Sequence, residues 1–379
     1  MKIRIGVVFG GRSGEHEVSV RSAKTVIDQI DQDKYSVIPI AITKHGNWLS
    51  PSESAKWLPP GTVSRFSDDI ASIGKGDVGL VGDTKFKGLT RFQDEAGSNS
   101  ERTIPFDVLF PVLHGTFGED GTIQGLFEMA GIPYIGCGVL ASSCGMDKVV
   151  MKTLFREAAL PICKYTWFLR NDFESNAEAV LAGIETTVGF PCFVKPANLG
   201  SSVGVSRAID GASLKDAIRL AAEFDRKIIV EEALEMREIE CAVLGNEQPE
   251  ASRPGEYIIR DNTKAFLDYT EKYAGTGNNE FVVPAPVSSE LEGRIRTMAV
   301  AAFKAIDASG LARVDFFLRN DNGALLVNEI NTMPGLTDAS GYPKMWAGSG
   351  KPFSDVIDKL VELAFERHKD RERNKTSWD

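Results

Sequence analysis

Nowhere in these 379 residues does an apolar run reach the length that crosses a bilayer, so no membrane span is expected. Positive charge is in deficit. Lys and Arg number 43 against 53 Asp and Glu, a net charge of -10, and a nucleic-acid surface needs the opposite balance. The five cysteines (Cys137, Cys144, Cys163, Cys192 and Cys241) are odd in number and show no metal-type pairing. They read as reduced, mostly buried thiols of a reducing compartment rather than a disulfide framework. The amino-terminal apolar segment, Ile3 to Phe9, is too short for a signal peptide and runs into Gly10-Gly11, which points to a first strand in a cytoplasmic protein. No internal repeat is present. What remains, 42% hydrophobic and 25% charged residues over this length, fits a globular chain of about two or three domains.

Alternation of patterns predicts an α/β fold. Residues 3 to 9 form a strand, Glu17 to Ile30 a helix, Tyr35 to Thr43 a strand and Phe106 to Leu113 a buried strand, giving a parallel, doubly wound first domain. Residues 51 to 103 are rich in Gly, Ser and Pro and read in part as an insertion. A second block starts near Gly138, with one helix from Met146 to Ala158 and strands at Tyr165 and at Cys192 to Pro196. The third starts near Glu231. Ser354 is expected to cap a last helix whose Val356, Ile357, Leu360, Val361 and Ala364 form one apolar face.

Two segments near the carboxyl end carry polar groups at two-residue spacing: Arg313 and Asp315 in one, Glu329 and Asn331 in the other. On strands, each pair shares a face. A three-residue loop ending in a left-handed Gly323 would set Asp315 opposite Glu329 and Arg313 opposite Asn331. Two carboxylates and an amide without His or Cys suit a hard divalent cation that brings phosphate, and a solvated hairpin face with one ion pair satisfies the same pattern. Upstream, Lys195 ends a strand before the small-residue loop 196 to 204, where Gly200, Ser201 and Ser202 could offer backbone N-H groups to phosphate oxygens. A tight strand-to-strand turn fits that loop equally well. Lys148 adds a second basic group, and Ile228 to Leu234 reads as a strand leaving into a linker.

In order, the segments MDK, VKP with GSSVG, VEEAL with REIE, DYTEKY, ARVDFF and NEINTMPGLT resemble the ATP-grasp superfamily, and within it the D-alanine:D-alanine ligases. GGRSGEHEVS from Gly10 and HGTFGEDG from His114 extend the likeness, which spans about residues 3 to 346. The resemblance implies a three-domain ATP-grasp architecture: residues 1 to 137 bind substrate, 138 to 231 and 232 to 379 hold ATP between them, and 261 to 280 form a lid. It implies a cytoplasmic homodimer that joins two D-alanines at the expense of ATP through a D-alanyl phosphate, with relatives that take D-lactate or D-serine second.

Carried over residue by residue, the resemblance assigns Lys148, Lys195 and Lys272 to ATP, together with Ser201 and Ser202 of the loop. Glu231, Glu232 and Leu234 belong to the adenine linker, Phe266 packs on the purine, and Glu238 holds the ribose. Asp315, Glu329 and Asn331 become ligands of two Mg2+ ions, with Mn2+ as a substitute. Glu15 meets the first substrate's ammonium and His114 its carboxylate. Arg313 and the backbone N-H of Gly335 stabilise the oxyanion, and Ser340 binds the second carboxylate. Tyr273, in a network with Ser201 and Glu15, favours an amide over an ester product.

Overall fold

The computed structural model describes residues 2–63, 66, 77–92, 103–200, 203–259 and 279–375. The chain opens with β1 (Ile3–Gly10), the helix His16–Gln29 and β2 (Tyr35–Ile42). A small antiparallel sheet follows, β3 (Val78–Leu80), β4 (Gly88–Arg91) and β5 (Thr103–Pro105). Then β6 (Val108–Val112) joins β1 and β2 in a parallel sheet of order β2-β1-β6. Strand pleating explains why β1 is apolar from Ile5 to Phe9. Ile5, Val7 and Phe9 pack with the helix His16–Gln29 and the last helix, whereas Val8 points into a second core with Leu109 and Phe127. A parallel sheet buried on both faces demands such a run, and the doubly wound expectation is met.

One boundary and one cap in this part need correction. The helix expected from Met146 to Ala158 is present as Lys148–Glu157; Met146 instead ends the preceding helix, Val139–Met146, and Asp147 between the two is extended. Asp147 caps that second helix by accepting from the Val149 and Val150 N-H groups at 3.0 and 3.1 Å, a break that apolar periodicity does not reveal. The last helix starts at Phe353 after Pro352, so Ser354 lies inside its first turn and caps nothing. Its apolar face is as expected, with Val356, Ile357, Leu360, Val361 and Ala364 all buried.

The middle of the chain builds an antiparallel sheet from β7 (Tyr165–Leu169), β8 (Cys192–Pro196), β9 (Ser206–Ala208) and β10 (Lys227–Glu232) in the order β7-β10-β8-β9. The helices Ala177–Thr187 and Gly211–Phe224 cover it through Ile184, Leu214 and Ile218. The third sheet comprises β11 (Met236–Gly245), β12 (Glu250–Ala251), β13 (Gly255–Ile259), β14 (Asn279–Val282), β15 (Gly310–Arg319) and β16 (Leu325–Asn331). Its order is β14-β13-β11-β15-β16, with β12 paired to β11. One face of β11 and β15 presents Ile239, Cys241, Val314 and Phe316 to the helix Ser289–Ala305. On the opposite face Ala242, Leu244 and Leu311 enter the core beneath β1, and Glu240, Arg313 and Asp315 continue that same face as polar groups.

The hairpin β15-β16 has the expected register at its polar end, Arg313 opposite Asn331 and Asp315 opposite Glu329. Its loop is longer than expected. Arg319 pairs with Ala324, leaving 320 to 323 as a four-residue turn closed by Gly323 at φ 69°. A register shift after Asp315 leaves Asn328 as an extra residue in β16, and this bulge returns the pairing to the polar register.

Gly10 ends β1 at φ 90°, and a Cβ there would run into the carbonyl oxygen of Ile42. Gly10→Ala is expected to lower stability by about 1–3 kcal/mol, read as a lower urea midpoint at unchanged slope. Gly14→Ala, where a Cβ meets nothing within 4 Å, should leave the midpoint in place.

Candidate active site

A cleft of about 900 Å³ opens between the middle and third sheets. Lys148, Lys195, Glu231 and Leu234 line one wall, and Glu238 and Arg313 stand on the other. Strand pairing places Lys195 on β8 beside Glu231 on β10, with Lys195 Nζ 2.7 Å from Glu231 Oε2. Lys152 projects from the helix Lys148–Glu157 one turn beyond Lys148 and is 1% exposed. Its ammonium lies 3.0 Å from Glu231 Oε1 and donates to the carbonyl of the bulged Asn328 at 3.1 Å. Burial alone would raise the Glu231 carboxyl pKa, but Lys152 and Lys195 outweigh it and hold the group well below the usual carboxylate range. Burial likewise opposes the charge on Lys152, yet Glu231 keeps that ammonium above its ordinary value. Two ammonium groups thus share one carboxylate, which leaves this wall positive.

Lys148 Nζ donates to the Leu199 carbonyl at 2.7 Å, so this lysine is tied to the loop that follows Lys195. Glu232 accepts from the Lys164 N-H at 2.8 Å through its side chain and presents the rest of the residue to the cleft. Ser201, Ser202, Phe266, Lys272 and Tyr273 lie outside the described residues, as does the segment 261 to 278 of the expected lid.

Across the cleft, Glu240 on β11, Asp315 on β15 and Glu329 on β16 form one row over three adjacent strands. Arg313 donates Nε and Nη2 to the two Asp315 oxygens at 2.6 Å each, and Asn331 Nδ2 donates to Asp315 Oδ2 at 3.0 Å. Burial pushes the Asp315 carboxyl up to about 7; Arg313 pulls it down, and Glu240 and Glu329 add to the rise. Among the described residues no three His, Cys, Asp or Glu side chains converge as a preformed cage. The pair Asp315 and Glu329 with the Asn331 amide is nevertheless a donor set of oxygens, crowded with negative charge, that fits a hard divalent cation.

The far end of the cleft is built by the loop after β1, by the His114 segment and by Met333 to Gly341. Glu15 lies at this end, and the missing side chain of Gly115 makes room for it: a Cβ there would sit 2.7 Å from Glu15 Oε2. His114 is buried, with Nε2 3.0 Å from Ser22 Oγ and Nδ1 3.2 Å from the Met333 carbonyl. Burial disfavours its cation, but Glu119, 3.8 Å away, raises the pKa overall. Gly335 and Ser340 border the same space. Ser340 Oγ accepts from the Thr337 N-H at 3.1 Å, so it also fastens its own loop.

The family model for the D-ala D-ala ligase N-terminus matches residues 4–137, and that for the C-terminus matches 154–362. The chain belongs to the D-alanine–D-alanine ligase family. It is 47% identical over 389 residues to a D-alanine–D-alanine ligase of Ruminiclostridium cellulolyticum, covering 99% of both chains, and 45% identical to one of Heliobacterium modesticaldum over 99% and 98%. Among solved structures, the VanG D-Ala:D-Ser ligase of Enterococcus faecalis matches with a TM-score of 0.81 at 38% identity, covering 96% of this chain and 100% of that one. The D-alanine-D-alanine ligase of Coxiella burnetii gives 0.79 at 33%, covering 98% of each. These ligases share the ATP-grasp fold, and the mixed α/β architecture described above is that fold.

Three residues in or beside this cleft escape sequence reasoning: Lys152, Glu119 and Glu240. Each lies in or beside a quoted motif, and only the tertiary structure turns its side chain inward. For Lys152 the consequence is measurable. Lys152→Met removes one of two cations from a buried carboxylate and is expected to destabilise by about 3–5 kcal/mol. Because the folded pKa of Glu231 is depressed, its contribution is present above its unfolded value of 4.5 and is lost as pH falls through the folded value. The difference between variant and wild type in urea denaturation should therefore be largest at neutral pH and shrink in acid.

Proposed function

We propose that this protein is an ATP-dependent D-alanine:D-alanine ligase of peptidoglycan precursor synthesis, acting in the cytoplasm. The observation that carries this reading is one cleft with a lysine-rich wall facing Arg313, Asp315, Glu329 and Asn331. The names of relatives at 45–47% identity support the substrate, D-alanine. Residues 1 to 137 then form the substrate-binding domain, and 138 to 231 and 232 to 379 close on ATP.

Lys148 and Lys195 neutralise phosphate charge, Glu231, Glu232 and Leu234 line the adenine pocket, and Glu238 accepts from the ribose hydroxyls. Asp315, Glu329 and Asn331 hold divalent cations, Mg2+ in the first place, which supply charge neutralisation during phosphoryl transfer. A carboxylate oxygen of the first D-alanine attacks the terminal phosphorus and ADP leaves. The resulting acyl phosphate gives the carboxyl carbon a leaving group that the free acid lacks. The amine of the second D-alanine then attacks that carbon, phosphate departs, and the new amide nitrogen releases its proton. Arg313, opposite Asn331 on the floor of the cleft, stabilises the oxyanion formed between these events, with the Gly335 N-H. Glu15 and His114 hold the first substrate by its ammonium and carboxylate, and Ser340 the second by its carboxylate.

Likeness to the VanG D-Ala:D-Ser ligase makes D-serine the competing second substrate. Exposed Met129 and Leu140 are apolar surface compatible with a homodimer. Magnesium-dependent phosphate release with D-alanine alone, and a D-alanyl-D-alanine product by mass, is the expected outcome; release only when D-serine or D-lactate is added would overturn the assignment. Arg313→Ala should lower turnover by about 10²–10³ while ADP affinity stays near that of the wild type. A parallel collapse of nucleotide affinity would contradict the role given to Arg313.

A further inference from the structure

Glu240 completes the row of carboxylates and is only 5% exposed. Its Oε2 is buried and makes no hydrogen bond among the described residues. Arg313 Nε approaches it at 3.5 Å, an ion-pair distance that is long for a hydrogen bond. A buried carboxylate oxygen without a donor is costly, and the long ion pair with Arg313 offsets that cost only in part. Gly341 borders the same oxygen: a Cβ at that position would sit 2.5 Å from Glu240 Oε2. Glycine at 341 is therefore what lets the carboxylate keep its place.

Arg313 meanwhile donates to both oxygens of Asp315. Under the ligase reading those oxygens serve a divalent cation, and a bidentate guanidinium occupies an acceptor position on each of them and repels the cation. Arg313 is mostly buried, so release from Asp315 requires another anion. Glu240 lies directly across from Asp315 on the neighbouring strand and does not converge with Asp315 and Glu329 on a common point, which separates it from the cation's ligands.

We propose that Glu240 is a positioning residue: it receives the guanidinium of Arg313 when Asp315 turns to a divalent cation, and so holds Arg313 toward the Gly335 and Ser340 end of the cleft. This inference rests on the ligase reading for the role of Asp315. It is tested by Mn2+ titration in the presence of ADP, with free Mn2+ followed by electron paramagnetic resonance. Four proteins are compared: wild type, Glu240→Gln, Arg313→Met and the double variant. Glu240→Gln should bind Mn2+ about tenfold more weakly, and the double variant no more weakly than Arg313→Met. In turnover, Glu240→Gln should lower kcat with the KM for ATP retained. Unchanged Mn2+ affinity in Glu240→Gln overturns the proposal, and so does an equal loss in both backgrounds, which would make Glu240 a direct ligand. Gly341→Ala crowds the same oxygen without changing charge; it should weaken Mn2+ binding in the same sense, and it decides the matter if Glu240→Gln does not fold. Titration needs no turnover, so failure of the ligase reading is seen separately, as a wild type that binds Mn2+ and releases no phosphate with D-alanine.

Discussion

Among the described residues, three carboxylates on adjacent strands, Glu240, Asp315 and Glu329, lie beside the guanidinium of Arg313, and the polar face of the third sheet is organised around that group. Like charges directly opposite in a sheet are unfavourable. Here the register of two strand pairs enforces them; burial is the main cause that raises the Asp315 pKa to about 7, and Glu240 and Glu329 add to the rise. A bound cation or a rearrangement of Arg313 relieves the crowding. The site thus holds electrostatic strain that a folded scaffold, anchored elsewhere by apolar cores, can sustain.

Across the cleft the sign is reversed. Lys152 and Lys195 outnumber Glu231 and leave this wall positive, where the proposed function puts phosphate groups, and the Lys152 bond to the Asn328 carbonyl fastens this wall to the strand that carries Glu329. One bulged residue therefore has two functions. It restores the register that aligns Asp315 with Glu329, and it offers the carbonyl that couples the two walls. Phosphoryl transfer needs such a pairing of opposed fields over a short distance, because little covalent chemistry is asked of the protein.

Much of this was legible in the sequence. Two-residue spacing placed Arg313, Asp315, Glu329 and Asn331 on one face, and their mutual register came out as expected. The apolar run of β1 from Ile5 to Phe9 and the face of the last helix also followed from the residue pattern. The loop length did not, because a bulge at Asn328 offsets an extra turn residue and leaves no compositional trace. Asp147 interrupts an unbroken apolar pattern by capping, and Ser354 has cap chemistry at a position that Pro352 pre-empts. Strands of three or four residues such as β3, β4 and β5 are too short to show a period. Lys152 and Glu240 were invisible for another reason: their meaning lies in partners 79 and 73 residues away, Glu231 and Arg313.

The most direct test of the carboxylate row is the melting temperature of wild type and Asp315→Asn with and without Mg2+, at a mildly alkaline pH where Asp315 is ionised. The expected result is a rise with Mg2+ in the wild type that is largely lost in Asp315→Asn, since a cation that binds the folded state stabilises it by mass action. A wild type indifferent to Mg2+, or an equal rise in both proteins, would contradict a site built around a shortage of positive charge.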